Sequence, residues 1–228
     1  VSPAADGLAT RRQSRVWSKL KRNRGALVGA VIVGFFVTVS ALAPLLPIAD
    51  PTATSWSAVR KAPSALYWLG TDEIGRDIFS RMIWGAQASL LAGVVSVLIA
   101  VAIGVPFGLV SGYFGGWWER IITGLTNVML AMPPLVMALA IGNILQPNLI
   151  NAMIAITLLW WTWHARLVYR VTRSIATEDF IEAARLAGAG PLHILFREIL
   201  PNCVSVISVK TTLDAAFVIL FGATLSFL

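Results

Sequence analysis

Long uncharged stretches separated by short charged ones set the plan of this chain. The first runs from Gly25 to Ala49, 25 residues, and the roughly 20 residues needed to cross a bilayer fit inside it. A helix is predicted from Leu27 to Leu46, broken by Pro44 and Pro47. The second uncharged stretch covers the 37 residues from Met82 to Trp118. Pro106 and the pair Gly115-Gly116 argue against one straight helix there, so its span is placed from Ser89 to Gly112. Trp117, Trp118, Glu119 and Arg120 then mark a membrane boundary. Ile121 to Ala165 lacks full charges over 45 residues, too long for one span and suited to two, divided at Asn143 to Asn148 where Pro147 and the amides favour a turn. A final apolar stretch, Cys203 to Leu228, supplies a fifth. The predicted fold is an all-α integral membrane protein with five transmembrane helices.

The charged interval between the fourth and fifth spans, residues 174–202, carries its own signals. Thr177 is placed to cap a short helix, Glu178 and Asp179 suit its positive end, and Gly188 suits a left-handed terminal residue. Phe180, Ile181, Ala184 and Ala187 fall on one side of that helix and are expected to pack. Pro191 opens a second short helix at its first position, and Pro201 is expected to discourage its continuation.

Within the spans, Gly104, Gly108 and Gly112 recur every four residues, a face without side chains that permits close helix contact. Met132-Pro133-Pro134 must kink or unwind its helix, and the freed carbonyls need protein or water partners; Pro133 and Pro134 either line a pathway or form a kink covered by neighbours. Lys210 and Asp214 lie four apart and share a helix face. An ionisable group as deep as Asp214 is a functional candidate, facing a central pathway or closing an internal ion pair. His164, among Trp160, Trp161 and Trp163, is read as structural, and His193 has no second ligand near it in sequence.

Residues 50–81 balance Asp50, Asp72, Glu73 and Asp77 against Arg60, Lys61, Arg76 and Arg81. Near their end Thr71 or Asp72 is placed to cap a helix striped by Ile74, Ile78, Phe79 and Met82. Charge then orients the chain. Of the net +7, residues 1–24 hold +6, through Arg11, Arg12, Arg15, Lys19, Lys21, Arg22 and Arg24 against Asp6. By the positive-inside rule the N-terminus is cytoplasmic and the balanced 50–81 segment external. The basic segment is expected to attract anionic lipid, and nucleic acid is not expected as a partner. The resulting organisation is a basic segment 1–24, a first helix in 25–49, an external loop with an amphipathic segment in 50–87, and a membrane core in 88–228 that contains the cytoplasmic loop 174–202. With 57% hydrophobic and 13% charged residues and a mean hydropathy of +0.77, a soluble domain is excluded. The single Cys203 closes no internal disulfide, and no metal site is expected.

The pattern Glu182-Ala183-Ala184, then Leu186, Ala187 and Gly188, followed by Leu200-Pro201, resembles the cytoplasmic loop of ATP-binding-cassette importer permeases. That resemblance implies a coupling helix docking on an ATPase subunit through Glu182, Ala183, Ala184, Leu186, Ala187, Gly188 and Pro201. Arg197 to Asn202 is similar to the ending of the dipeptide and oligopeptide branch, with Glu198 where the general pattern has isoleucine. The string Gly70-Thr71-Asp72, Gly75-Arg76-Asp77 and Arg81 resembles the region before the second helix in the same branch. Its functional reading is contact with an external binding protein, and its structural reading is a capped helix with local ion pairs.

The resemblance implies six helices and a cytoplasmic end, so the ending at Leu225 to Leu228 reads as a point where the family continues. It also implies a second related permease chain, two nucleotide-binding subunits that hold ATP and Mg, and an external solute-binding protein, with no cofactor and no catalytic residue in this chain. No G-x-x-x-x-G-K-[ST] loop is present to cradle phosphates. Di- or oligopeptides are the expected cargo; nickel chelates, glutathione and opines are the alternatives. A secondary transporter or channel would show internal repeats or more intramembrane charges, an intramembrane enzyme would need a catalytic constellation, and a structural anchor would not need the loop motif.

Overall fold

The computed structural model describes residues 22–145 and 148–227. The basic residues from Arg11 to Lys21, the turn residue Pro147 and the terminal Leu228 lie outside them. The elements are α1 (Arg24–Leu42), α2 (Ile78–Phe114), α3 (Gly116–Ala131), α4 (Pro134–Ile144), α5 (Leu149–Ile175), α6 (Asp179–Leu186), α7 (Pro191–His193), a π-helical turn (Ile194–Ile199) and α8 (Leu200–Phe227), with 3-10 turns at Ala43–Leu45 and Trp56–Ala58. Among the described residues there is no strand, only an isolated bridge between Thr71 and Asp77. By contacts the chain divides into two compact units, Val1–Gln87 and Ala88–Leu228.

In the first unit, the Asn23 side chain accepts the Ala26 N–H at 3.2 Å and starts α1. Val28, Val31, Val33 and Phe35 are each more than half exposed on this helix. A helix apolar all round with so little packed against it is built for lipid. Pro44 then turns its end into a 3-10 turn.

In the second unit α5 is the shared wall of two cores. One joins Val97 and Ala100 of α2, Ala138 of α4, Trp160 and Trp161 of α5 and Val218 of α8. The other joins Val105 and Leu109 of α2, Val168 of α5, Ile181 of α6 and Ile194, Ile199 and Cys203 of the chain beyond. The glycine face explains how α2 approaches so closely. A methyl at Gly104 would lie 2.5 Å from the Trp161 carbonyl oxygen, one at Gly108 2.7 Å from the Ala165 oxygen, and one at Gly112 2.8 Å from the Tyr169 oxygen. The three glycines ride on the backbone of α5, as their spacing predicts.

Among the described residues three helices, Arg24–Leu45, Ile78–Phe114 and Pro191–Leu225, are long and apolar enough to cross a membrane, and a fourth span is formed if Gly116–Ala131 and Pro134–Gly142 count as one. The remaining span of the sequence reading is α5. Its tryptophans, threonines and His164 dilute its apolar character, and most of those side chains are enclosed by neighbouring helices rather than turned to lipid.

Two expectations about proline are corrected. Pro106 lies inside α2, which continues unbroken to Phe114; the stop is made by Gly115 and Gly116, at φ +65° and +54°. Pro201 does not end the helix opened by Pro191, because the chain stays helical from Pro191 to Leu225. The π turn just before Pro201 accounts for this. There the Leu200 N–H bonds to the Leu195 oxygen, five residues back, and the widened turn accommodates a ring that would crowd an α-helical carbonyl. At Met132 to Pro134 the outcome exceeds a kink, since α3 and α4 meet at 87°.

Candidate functional site

The segment between α5 and α8 is built as a projecting element with one deep anchor. Glu178, not Thr177, occupies the cap of α6, and the Thr177 hydroxyl instead donates to the Ser174 carbonyl at 2.8 Å. Asp179 and Glu182 sit in the first turn and Arg185 in the last, the order that the helix dipole favours. The helix ends as its glycine predicts. Gly188 has φ +85°, its N–H bonds the Arg185 oxygen, and the Ala189 N–H bonds the Ala184 oxygen, both at 3.0 Å.

The expected packing face is corrected to a single residue. Ile181 is fully buried, whereas Phe180 and Ala187 are exposed and Ala184 only half-buried. An eight-residue helix held by flanking turns is fixed by one large anchor, and its remaining surface stays free. Arg185 adds a second tie, its guanidinium 5.2 Å from the centre of the Tyr113 ring at the end of α2. Glu182, Ala183, Leu186, Ala187 and Gly188 therefore face outward, with Leu186 85% exposed. Pro201 is exposed as well, near the start of α8. His193 lies 3.9 Å from Glu198 across the π turn.

A second cluster lies inside the bundle. Asp214 of α8 is 2% exposed, with Lys210 bonded to one carboxylate oxygen and His164 Nε2 of α5 3.4 Å from the other. His164 is itself fully buried, its Nδ1 3.3 Å from the Trp160 oxygen. Lys210 is the partly exposed member and lies 5.9 Å over Trp163. The structure thus closes the Lys210–Asp214 pair that their spacing allows, and turns the carboxylate toward α5. The part played by His164 went unseen in sequence because it stands 50 positions from Asp214 and nothing local links them. Pro133 and Pro134 are exposed at the bend between α3 and α4, and the Pro133 oxygen accepts the Met137 N–H at 3.2 Å.

The string from Gly70 to Arg81 folds into a tight turn in which each motif residue has a partner. The helix it precedes starts at Ile78, so the cap is Asp77, which accepts the Ser80 N–H at 3.1 Å, in place of Thr71 or Asp72. Thr71 is buried, donates to the Ala58 oxygen and accepts the Lys61 N–H at 2.8 Å. Asp72 accepts the Ile74 and Arg76 N–H groups at 3.0 and 2.9 Å and pairs with Arg76 Nε at 2.8 Å and with Arg81. Burial raises the Asp72 pKa, but the hydrogen bonds and charge of Arg76 and the Ile74 amide outweigh it and hold the carboxyl at about 2. Gly70 and Gly75 have φ +76° and +78°, and a side chain on Gly75 would meet the Ser55 oxygen at 1.9 Å. These contacts favour the structural reading of the string.

At the end of the bundle nearest α6, Glu119 in the first turn of α3 accepts the Tyr169 hydroxyl at 2.5 Å and lies 3.6 Å from Arg173, both on α5. Beside it is a cavity of about 230 Å³ between α2, α3 and α5.

Residues 104–228 match the family model described as binding-protein-dependent transport system inner membrane component, and residues 13–63 match that of the N-terminal TM domain of oligopeptide transport permease C. The chain is 38% identical to the dipeptide transport system permease protein DppC of Haemophilus influenzae, over 93% of this chain and 74% of that protein. It is 40% identical to DppC of Alkalihalophilus pseudofirmus, over 93% and 70%. The glutathione transport system permease protein GsiD of Escherichia coli is 38% identical over the same shares.

Proposed function

Since this chain belongs to the family of binding-protein-dependent transport system inner membrane components, we propose that it is a permease subunit of an ATP-driven importer of di- or oligopeptides. The observation that carries the coupling role is α6, fixed to the bundle by Ile181 and Arg185 while Glu182, Ala183, Leu186, Ala187 and Gly188 face outward. Such a helix transmits a push from a partner into α5 on one side and α8 on the other. The chain carries no ATPase motif, so ATP and Mg belong to two nucleotide-binding subunits docked on α6. A second, related permease chain completes the pathway, and an external solute-binding protein delivers cargo. The N-terminus and α6 lie on the cytoplasmic side, in keeping with the basic residues before α1. For energy to pass, α6 must be bound differently in the ATP-loaded and empty states, because equal binding shifts nothing.

Pro133 and Pro134, exposed at an 87° break, are the better candidates for lining the pathway. Asp214, with Lys210 and His164, braces α8 against α5 so that the helices on either side of α6 respond together. Glutathione is the second cargo reading, favoured by the GsiD relative.

Reconstitution tests the proposal. Vesicles with the full complex take up di- or tripeptide when loaded with ATP and fall to background when the nucleotide-binding subunits are omitted. Uptake that survives their omission, or cleavage of residues 178–202 by protease added outside intact cells, overturns it.

A further inference from the structure

We infer that the cavity between α2, α3 and α5 binds the phosphate of an anionic phospholipid. Its polar lining sorts into groups already committed and groups still free. The hydroxyls of Ser111, Thr123 and Thr126 donate to carbonyls of their own helices, at Phe107, Glu119 and Thr123. Tyr169 donates to Glu119, and that carboxylate is further held by Arg173. Arg166, Arg170 and the Asn127 amide remain, all lining the same space. Arg166 and Arg170 are one turn apart on α5 and share a face. Among the described residues no acidic side chain lines the cavity, and neither guanidinium has a carboxylate within ion-pair distance. The site therefore holds two positive charges, uncommitted donors and about 230 Å³ of room, well above the roughly 30 Å³ of one water.

Depth decides which anion fits. Trp117 and Trp118, 64% and 50% exposed on the first turn of α3, mark the level of the lipid headgroups. Ile122, Thr123, Thr126 and Asn127 follow within the next three turns of the same helix, about 7–15 Å along its axis, so the cavity runs inward from that level within reach of a headgroup phosphate and the long arginine side chains. Arginine forks match phosphate oxygens bidentately, and basic pockets between transmembrane helices hold anionic headgroups. A phosphodiester at headgroup depth, tethered by its own acyl chains, meets each of these conditions.

Native mass spectrometry of the full complex, in nanodiscs of phosphatidylethanolamine with phosphatidylglycerol, tests this. The unmodified complex should retain phosphatidylglycerol that Arg166→Gln/Arg170→Gln loses, with binding weakened roughly tenfold or more. Asn127→Leu, at an exposed position that keeps both arginines, should weaken it severalfold and serves if the double variant does not assemble. Added inorganic phosphate should leave the retained lipid in place. Equal retention in all three proteins overturns the inference. Displacement by inorganic phosphate would instead assign a free-anion site, and displacement by dipeptide a cargo site; either result also overturns it.

Discussion

Asp72 shows how much one carboxylate can organise. It collects two backbone amides and two arginines at the entrance to α2. Its pKa is depressed from 3.8 to about 2, so its contribution to stability is fully present above the unfolded value and is lost as pH falls through the folded one. Protection of the Ile74 and Arg76 amides, taken relative to their intrinsic exchange rates, should therefore stay high from neutral pH down to about pH 4 and fall below it, while in Asp72→Asn it should be low throughout. Equal exchange in both proteins at neutral pH would remove Asp72 from this role. At this scale the legible positions were those whose demands are local. Gly188 at a helix end, Lys210 four residues before Asp214 and the three glycines of α2 all follow from spacing. His164 did not, because its partner is supplied by the approach of another helix. Thr71 and Asp72 were legible as capping residues but not as a buried hydroxyl and an arginine clamp, for their partners at Ala58, Lys61 and Arg81 depend on how the loop closes.

Among the elements, α6 separates anchoring from contact within eight residues. Ile181→Ala should loosen the segment at a cost of about 2–5 kcal/mol to its packing, seen as a lower melting temperature of the purified protein. Leu186→Glu, at a residue 85% exposed, should leave that temperature unchanged while weakening co-purification of the nucleotide-binding subunits and reducing uptake. If Leu186→Glu unfolds the protein instead, the outward face is misassigned. The boundaries of α6 and α7 were readable from Gly188 and Pro191. The continuation through Pro201 was not, because a proline's local tendency to break a helix is overridden where a π turn precedes it and Ile194, Ile199 and Cys203 are held in one core. The packing face departs from the periodicity for a related reason. Periodicity places Phe180 beside Ile181, but only contact with α2, α5 and the π turn decides which of the two enters.

For the whole molecule, the buried His164–Asp214 contact offers a test that distinguishes a brace from a pathway. Leaving a buried polar group without its neighbour costs about 1–3 kcal/mol, more for a charged one, whereas replacing both by apolar residues is often neutral or stabilising. Asp214→Asn and His164→Leu should each lower the melting temperature, and Asp214→Leu/His164→Leu should recover most of the loss, with Lys210 free to reach the surface. A double variant that is stable yet changes cargo preference would favour the pathway instead. Total composition and the rhythm of uncharged stretches announced a membrane helical protein, and the loop motif announced its class. The sequence alone left α5 ranked with the other spans. Its tryptophans read as a boundary signal, yet Trp160 and Trp161 are enclosed in the first core.

The contact of α2 with α5 through bare backbone carries a mechanical consequence. Where Gly104, Gly108 and Gly112 lie against carbonyl oxygens, prying the two rods apart would expose unshielded peptide groups to hydrocarbon, with no side chain to fill the gap. The pair must swing as a single plank. Whatever gap admits a solute then has to open elsewhere, at the right-angle elbow around Met132 or along the widened stem of α8, and under the proposed coupling role a stroke delivered to α6 would be spent on those joints.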